Sequence, residues 1–400
     1  MTSSLGHDYR HLWLAATISR AGDGVFLTAL PLLSVSVTHN PLAISAVQFS
    51  LTVPWLLFAL TSGALADRWD RRTIMWCTDL CRFVVTAALT VAIVGGALSI
   101  PVLAAFGFVL GTCETLFDSA ALSILPSLVG TRPEQLTRAN ARLDAAGGIA
   151  DGFVGPAAGA SLYTLAQSAP VVANAASFLA SAALLRLIPK QPPTVRSPRG
   201  SLRTDISDGI RWLFGHSQLT ALAVAVGMIN LSTNASTTLL VLYLREAVGA
   251  GTISYTLILI CAAGGGLVGN LIAERHPTPL QHPRAMPLAV AGIAISLAAI
   301  GAIPNTAIIA ASFALIGLAG ATWNVTTVSL RQRLIPTELL GRINSVYRFI
   351  AYGTIPLGAL AGGAIANTYG LHAPFLIGSA LLTATAITLN RQQATPKPEP

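Results

Sequence analysis

Charged side chains occur inside long apolar stretches of this sequence, where a charge is costly to bury. A charge placed at the centre of a bilayer costs about 2.5 to 3.5 kcal/mol on insertion scales, so such residues are functional candidates by default. A carboxyl group also ionises less readily when it is buried or lies beside another carboxylate, which suits reversible proton binding. These residues are Arg20, Asp23, Asp79, Arg82, Glu114, Asp118, Asp144 and Asp151 in the first half and Arg348 in the second.

Asp23 and Glu114 are the strongest candidates for reversible proton binding, because each lies near the middle of its apolar stretch by residue count. Asp118 follows Glu114 by four residues, on the same helical face, and would add like-charge repulsion. Arg20 precedes Asp23 by three residues and could expel its proton when the two side chains approach. The glycines on either side of Asp23 would leave room for a ligand.

The other intramembrane charges have structural interpretations. Asp79 and Arg82 are three residues apart on one helix face, so we expect them to neutralise each other. Arg348 lies about 8 Å beyond Ile343 along a helix and can reach the membrane interface with its long side chain.

Catalytic and metal-binding patterns are missing from the sequence. It contains neither G-x-S-x-G nor H-E-x-x-H, and neither Lys190 nor Lys397 follows a glycine, as a Walker A loop requires. The 4 cysteines form no CxxC pair and lie in apolar stretches, which favours a packing role. We therefore expect no enzyme activity, no ATP hydrolysis, no metal and no cofactor.

The composition excludes a water-soluble surface. Of the 400 residues, 53% are hydrophobic and 10% charged, against about 25% charged in soluble proteins. Apolar runs of membrane-spanning length predict an all-α polytopic membrane protein with twelve helices. They lie near Leu12–Val37, Ala43–Ala66, Thr73–Gly95, Ile100–Leu125, Asn140–Leu165, Pro170–Ile188, Leu219–Leu244, Ser254–Ala273, Pro287–Ile303, Thr306–Leu330, Ile343–Ala366 and Ala373–Leu389.

The sequence divides into two related halves. A Pro- and Arg-rich segment, Lys190–Gly200, separates them, and apolar residues at helical spacing over 206–214 predict an amphipathic interfacial helix. Glu134, Arg138 and Asn140 recur 204 positions later, which indicates two pseudo-symmetric six-helix bundles. The predicted parts are residues 1–188 (first bundle), 189–216 (cytoplasmic linker), 217–390 (second bundle) and 391–400 (cytoplasmic tail).

The basic residues predict the orientation in the membrane. With a cytoplasmic N-terminus, 20 of the 24 Lys and Arg residues fall on the cytoplasmic side, as the positive-inside rule requires. We therefore expect both termini in the cytoplasm of a multi-pass protein of the bacterial cytoplasmic membrane. The net charge of +8 is then topological, so no nucleic-acid partner is expected.

One loop, "GALADRWDRR", resembles the signature loop of the major facilitator superfamily, with Asp70 where a glycine is commoner. The resemblance implies that Asp67 and Arg71 form part of a latch that stabilises the outward-facing state. A set of positively charged membrane anchors is the structural alternative. The residues that match the pattern are Gly63, Asp67, Arg68, Arg71 and Arg72.

Further motifs narrow the resemblance. "GPAAG", which contains Gly155, Pro156 and Gly159, partly resembles a motif of drug and proton antiporters, although small residues at this spacing also serve close helix packing. "RAGDGVFLTALPLL", "RAN" and "DISDGIRWLF" resemble the bacterial macrolide-efflux and enterobactin-exporter branch. That branch implies export of drugs, siderophores or metabolites by proton antiport.

Together these features predict a secondary active transporter that exports an amphipathic small molecule by proton antiport with alternating access. Its partners would be the small molecule, protons and the lipid bilayer, and we expect a monomer. In the second half only mild candidates would line a cargo cavity: Asn230, Asn234, Trp323 and Asn324. An importer or uniporter of a small metabolite, or a non-transporting membrane sensor or scaffold, are the alternatives.

Overall fold

The computed structural model describes residues 6–130, 132–190, 210–275, 282, 284–336 and 339–394, with side chains at all of these except 59–61, 63–68, 340–342, 393 and 394. Within these ranges the chain forms helices and no strands, which confirms the all-α prediction. In chain order the helices are α1 (His7–Val37), α2 (Pro41–Arg68), α3 (Arg71–Val94), α4 (Ile100–Val129), α5 (Pro133–Ile149), α6 (Gly155–Leu165), α7 (Ala169–Leu185), α8 (Ser217–Thr237), α9 (Leu240–Tyr243), α10 (Thr252–Arg275), α11 (Ala285–Ala302), α12 (Thr306–Leu334), α13 (Leu340–Tyr369) and α14 (Ala373–Ala394). Two π-helical segments, Ala150–Val154 and Leu244–Val248, follow α5 and α9.

Ten helices of the described chain are long and apolar enough to cross a membrane. The other two predicted spans correspond to the continuous helical stretch over 133–165 and to α7, a shorter apolar helix of 17 residues. In the described chain each of the twelve predicted spans is therefore occupied by helix, and ten of them have the length and apolar composition of a membrane span.

The ends of the helices follow from local chemistry. Asn305 caps α12, because its Oδ1 accepts hydrogen bonds from the backbone N–H groups of Ala307 at 2.9 Å and Ile308 at 3.2 Å. Gly130 and Gly370 follow α4 and α13 with φ of 84° and 89°. Glycine is favoured at these positions, because other residues rarely adopt positive φ.

The chain divides into two compact units. The first comprises Met1–His39 with Ser50–Val195, and the second comprises Asn40–Phe49 with Arg196–Pro400. The start of α2 therefore groups with the second half, whereas the sequence-based division placed it in the first bundle. Most of the predicted amphipathic linker helix lies outside the described residues, although residues 210–215 are helical.

In the first unit, α1 and α3 both pack on α7, and α3 also packs on α4. A core of apolar side chains from α1, α3, α4 and α7 fills one end of this unit. Its members include Leu12, Met75, Ile124 and Leu185, each at most 2% exposed. This packing brings α3 and α1, which are not consecutive in the chain, within side-chain reach of each other.

In the second unit, α10 packs on α12, and α13 packs on α8. Glycines allow the second of these approaches, because a Cβ at Gly358 or Gly362 would collide with the α8 backbone at Leu231 or Ala235. Close backbone approach at small residues is the usual packing mode of membrane helices.

Candidate functional site

A buried ionic cluster occupies the first unit and is centred on Arg82 of α3. Arg82 Nη1 lies 3.5 Å from Asp23 Oδ2 of α1 and 3.7 Å from Asp79 Oδ1 of its own helix. The side chains of Arg82 and Asp79 are 3% and 0% exposed, whereas that of Asp23 is 25% exposed. Both distances exceed normal hydrogen-bond length, so the contacts are ion pairs without a tight hydrogen bond. One guanidinium therefore serves two carboxylates, of which only Asp23 is accessible.

Aromatic rings complete the surroundings of Arg82. Its guanidinium carbon lies 5.5 Å from the ring centre of Phe117 in α4 and 5.1 Å from that of Phe178 in α7. Both distances are within cation–π range. These apolar walls keep water from the cation and leave the carboxylates as its counter-charges.

Several polar atoms around this cluster lack hydrogen-bond partners in the described structure. They are both carboxylate oxygens of Asp79, Nδ2 of Asn174 and the hydroxyl of Ser181. Asn174 is fully buried and adjoins Asp23. Ser181 nevertheless neighbours Asp79 and Asn174 neighbours Asp23, so these polar groups belong to the surroundings of the ionic cluster although no bond between them has normal geometry.

Arg20 contacts a different carboxylate from the one expected. Its Nη1 lies 4.0 Å from Asp151 Oδ2, and the two side chains are 44% and 51% exposed. Asp151 lies in the π-helical segment Ala150–Val154, and Arg20 runs over Gly147, where a Cβ would lie 2.5 Å from Nη1. The sequence prediction therefore named the wrong arginine beside Asp23, because Arg82 of another helix takes that place.

Glu114 and Asp118 join the same group of charges from α4. Both are partly buried. Glu114 interacts electrostatically with Asp23, Arg82, Asp118 and Arg20. The four residues singled out for proton coupling are thus brought together in the first unit.

The sequence led us to expect that the glycines beside Asp23 leave room for a ligand. The structure contradicts this expectation. A Cβ at Gly22 would collide with Ser177 Oγ of α7, and one at Gly24 would lie 3.0 Å from the carbonyl oxygen of Ala150. Both glycines are instead needed for close packing of α1.

The "GPAAG" segment lies against the same helix. A Cβ at Gly155 would be 2.6 Å from the carbonyl carbon of Gly24, and one at Gly159 would be 2.6 Å from the carbonyl oxygen of Val25. Pro156 is buried at the point where the π-helical segment Ala150–Val154 passes into α6. This segment therefore brings α6 into backbone contact with α1.

The signature loop joins α2 to α3. Arg71 is buried. Arg72 donates a 3.2 Å hydrogen bond from Nε to the carbonyl oxygen of Leu185 and another from Nη2 to that of Arg186, so it caps the C-terminus of α7. The side chains of Asp67 and Arg68, and the surroundings of Gly63, lie outside the described set.

The predicted cavity residues of the second unit are largely used in packing. Asn230 donates from Nδ2 to the carbonyl oxygen of Ala351 at 2.7 Å, and Asn234 to that of Asn230 at 2.9 Å. Trp323 is 5% exposed, whereas Asn324 is exposed. The first amide therefore ties α8 to α13, and only Asn324 has an open side chain.

Metal ligation finds no support in the described part of the chain, where no three His, Cys, Asp or Glu side chains are grouped to hold an ion. The ionisable side chains that the structure groups in the first unit form ion pairs.

Two helical units, apolar spans and intramembrane ion pairs define a polytopic transporter of the major facilitator fold. The family model of the transmembrane secretion effectors matches residues 5–399, and the chain belongs to this family. Multidrug efflux pump Tap of Mycobacterium tuberculosis is 27% identical, covering 95% of this chain and 92% of that protein. Macrolide efflux protein A of Streptococcus pyogenes is 23% identical, covering 94% of this chain and 93% of that protein. The resemblance to the macrolide-efflux branch is thus confirmed.

Solved structures show the same fold. The crystal structure of the nucleoside transporter NupG superposes with a TM-score of 0.76 at 12% identity, covering 98% of this chain and 100% of that one.

Proposed function

We propose that this protein exports an amphipathic small molecule in exchange for protons, by alternating access. The relatives named as multidrug and macrolide efflux proteins support export across a membrane. The proton part of the proposal rests on the charges of the first unit.

The observation that carries it is the sharing of one buried guanidinium between Asp23 and Asp79. Two ionised carboxylates and one arginine leave a net charge of −1 in a low-dielectric site, which is unfavourable. Uptake of one proton makes the cluster neutral. The cluster should bind a proton when water is excluded and release it when water returns. Coupling of transport to protons requires such reversible proton binding.

Asp23 is the better proton carrier of the two carboxyl groups. Its side chain is 25% exposed, whereas that of Asp79 is sealed at 0%. Asp79 then acts as a fixed counter-charge that holds Arg82 within reach of Asp23. Arg82 takes the role first assigned to Arg20, because its positive charge favours release of the proton from Asp23.

Glu114 is the second proton carrier in this proposal. Asp118 repels its ionised form from the same helix, while Arg20 and Arg82 attract it. The remaining arginine pair, between Arg20 and Asp151, is half exposed and long at 4.0 Å. We assign it to the response to cargo rather than to proton storage, since exposed ion pairs are weak and easily exchanged.

The cargo is assigned only to the class of amphipathic small molecules, such as drugs, antibiotics, siderophores or metabolites. Import or uniport of a metabolite is the second candidate, and it predicts flux that a proton gradient does not drive. A sensor or scaffold role predicts partner binding without any flux.

The membrane arrangement is part of the same proposal. Both termini lie in the cytoplasm, residues 1–188 and 217–390 form the two bundles, and residues 189–216 and 391–400 form the linker and tail. Asp67 and Arg71 latch the cytoplasmic side, and the protein acts as a monomer in the bacterial cytoplasmic membrane.

Inverted membrane vesicles test the proposal. Respiration acidifies their lumen, so an exporter should move protons out of the lumen when a cargo is added to the medium. We expect cargo-dependent recovery of a quenched pH-sensitive dye, measured across a compound panel. Uphill accumulation of cargo in the lumen that persists after the proton gradient is collapsed would contradict proton antiport.

A further inference from the structure

Two uncharged polar residues of α7 lie beside the start of the Asp23 region of α1. Asn174 is 0% exposed, and Ser177, one turn later, is 9% exposed. Both meet α1 at Gly22, where an added Cβ would collide with Ser177 Oγ and would lie 2.6 Å from Asn174 Oδ1. Glycine at position 22 therefore makes room for these two side chains next to Asp23.

The hydroxyl of Ser177 fixes the orientation of the Asn174 amide. Ser177 Oγ donates to the backbone carbonyl oxygen of Asn174 at 2.8 Å and lies 3.2 Å from its side-chain Oδ1. An amide oxygen only accepts hydrogen bonds, whereas the amide nitrogen only donates them. The hydroxyl hydrogen thus favours Oδ1 on the side of Ser177 and turns the donor Nδ2 away from it.

Asp23 is the neighbour that can use this donor. Asn174 adjoins Asp23, and its Nδ2 has no partner of normal hydrogen-bond geometry elsewhere in the described structure. An ionised carboxylate only accepts hydrogen bonds, so the amide can serve it through Nδ2 alone. A hydrogen bond to the ionised form of an acid favours that form. Asn174 therefore acts on Asp23 in the same direction as Arg82, but without a charge.

Charged groups reach Asp23 from three other elements of this unit. They are Arg82 and Asp79 of α3, Glu114 and Asp118 of α4, and Asp151 of the π-helical segment. Arg20 lies one turn earlier on α1, where it runs over Gly147 of α5. The helices α6 and α7 and the described side chains of α2 contain no charged residue. A change at Asn174 therefore leaves every one of these charges in place.

We propose that Asn174, oriented by Ser177, is a positioning residue for Asp23, whose amide N–H group holds the ionised carboxylate and favours release of its proton. This inference rests on the proposed role of Asp23 as a proton carrier. Because the amide is neutral, it adds its effect without changing the net charge that Arg82, Asp23 and Asp79 share.

Infrared difference spectroscopy tests the inference without transport. Full-length protein in lipid nanodiscs is titrated with pH, and the C=O band of protonated carboxyl side chains is followed. The Asp23 band is the one that Asp23→Asn lacks. We expect Asn174→Ala to keep Asp23 protonated up to a pH about one to two units higher than in the wild type, because a hydrogen bond to the ionised form is lost.

Three further variants refine the result. Ser177→Ala leaves the amide free to turn and should shift the Asp23 titration in the same direction by less than Asn174→Ala. Asn174→Ser keeps a hydroxyl donor and should recover part of the shift. Ser34→Ala is the control, because it removes a buried hydroxyl that donates to the carbonyl oxygen of Leu30 at 2.9 Å, about 16 Å along α1 from Asp23. It should titrate like the wild type.

A purely structural role for Asn174 gives a different result. Asn174→Ala would then lower the unfolding midpoint while Asp23 titrates as in the wild type, and this outcome overturns the inference. If Asn174→Ala does not fold, Ser177→Ala carries the test, and an Asp23 titration equal to that of the wild type overturns the inference equally. Failure of the proposed function is seen separately, as the absence of cargo-dependent proton movement in vesicles, since the infrared titration contains no cargo.

Discussion

Replacing Arg82 by glutamine removes the one positive charge that Asp23 and Asp79 share. The side chain keeps a polar end, so the change is mainly one of charge. The net charge of the cluster falls from −1 to −2 if both carboxyl groups stay ionised. We expect Arg82→Gln to destabilise the first unit more than any other single charge removal there.

The distances give the magnitude. At an effective dielectric constant of about 20, the 3.5 Å and 3.7 Å separations correspond to attractions of roughly 4.7 and 4.5 kcal/mol. Desolvation of the guanidinium offsets part of this, and breaking a buried ion pair typically costs about 3 to 5 kcal/mol. For a unit of this size that corresponds to a fall of roughly 6 to 20 °C in the unfolding midpoint.

A double variant separates charge from packing. Arg82→Gln combined with Asp79→Asn returns the net charge of the cluster to −1, so it should recover at least half of the lost stability. The midpoints of wild type, both single variants and the double variant are measured in detergent at matched concentration. A single variant as stable as the wild type, or a double variant no better than Arg82→Gln, would refute the electrostatic reasoning.

Three further predictions concern topology, gating and packing. A reporter fused after Pro193 should be cytoplasmic and one at Gly249 external, and finding both on one side would overturn the twelve-span orientation. Asp67→Asn should lower turnover with near-normal membrane insertion, whereas unchanged efflux at equal protein level would reduce the loop to an anchor. Gly155→Ala should destabilise the protein by about 1 to 3 kcal/mol through overpacking on α1. Gly148→Ala is the control and should be neutral or slightly stabilising, because no atom lies within 4 Å of the added Cβ. Equal effects of the two variants on the unfolding midpoint would contradict this prediction.

The spans could be predicted because apolar length is a local property of the sequence. Errors occurred where polar residues begin a helix: α5 starts at Pro133 rather than near Asn140. The break of the seventh span after Thr237 was also missed. Neither feature changes the hydropathy enough to be read from composition alone.

Within the candidate site the pairing of Asp79 with Arg82 could be predicted, because both lie on one helix. The partner of Asp23 could not, because it lies on a different helix. Spacing alone paired Arg20 with Asp23, whereas the packing of α1 and α3 on α7 places Arg82 beside Asp23. The same limit applies to the glycines beside Asp23. A glycine that leaves a cavity and one that admits a neighbouring helix have the same sequence signature.

The central claim is that Asp23 couples cargo export to protons. Energised inverted vesicles carrying Asp23→Asn are compared with wild type and with Asp144→Asn, which changes an exposed carboxylate that has no described ion pair. We expect Asp23→Asn to abolish uphill cargo accumulation while downhill exchange continues, and Asp144→Asn to behave as wild type. Full uphill accumulation by Asp23→Asn at equal protein level would contradict the account.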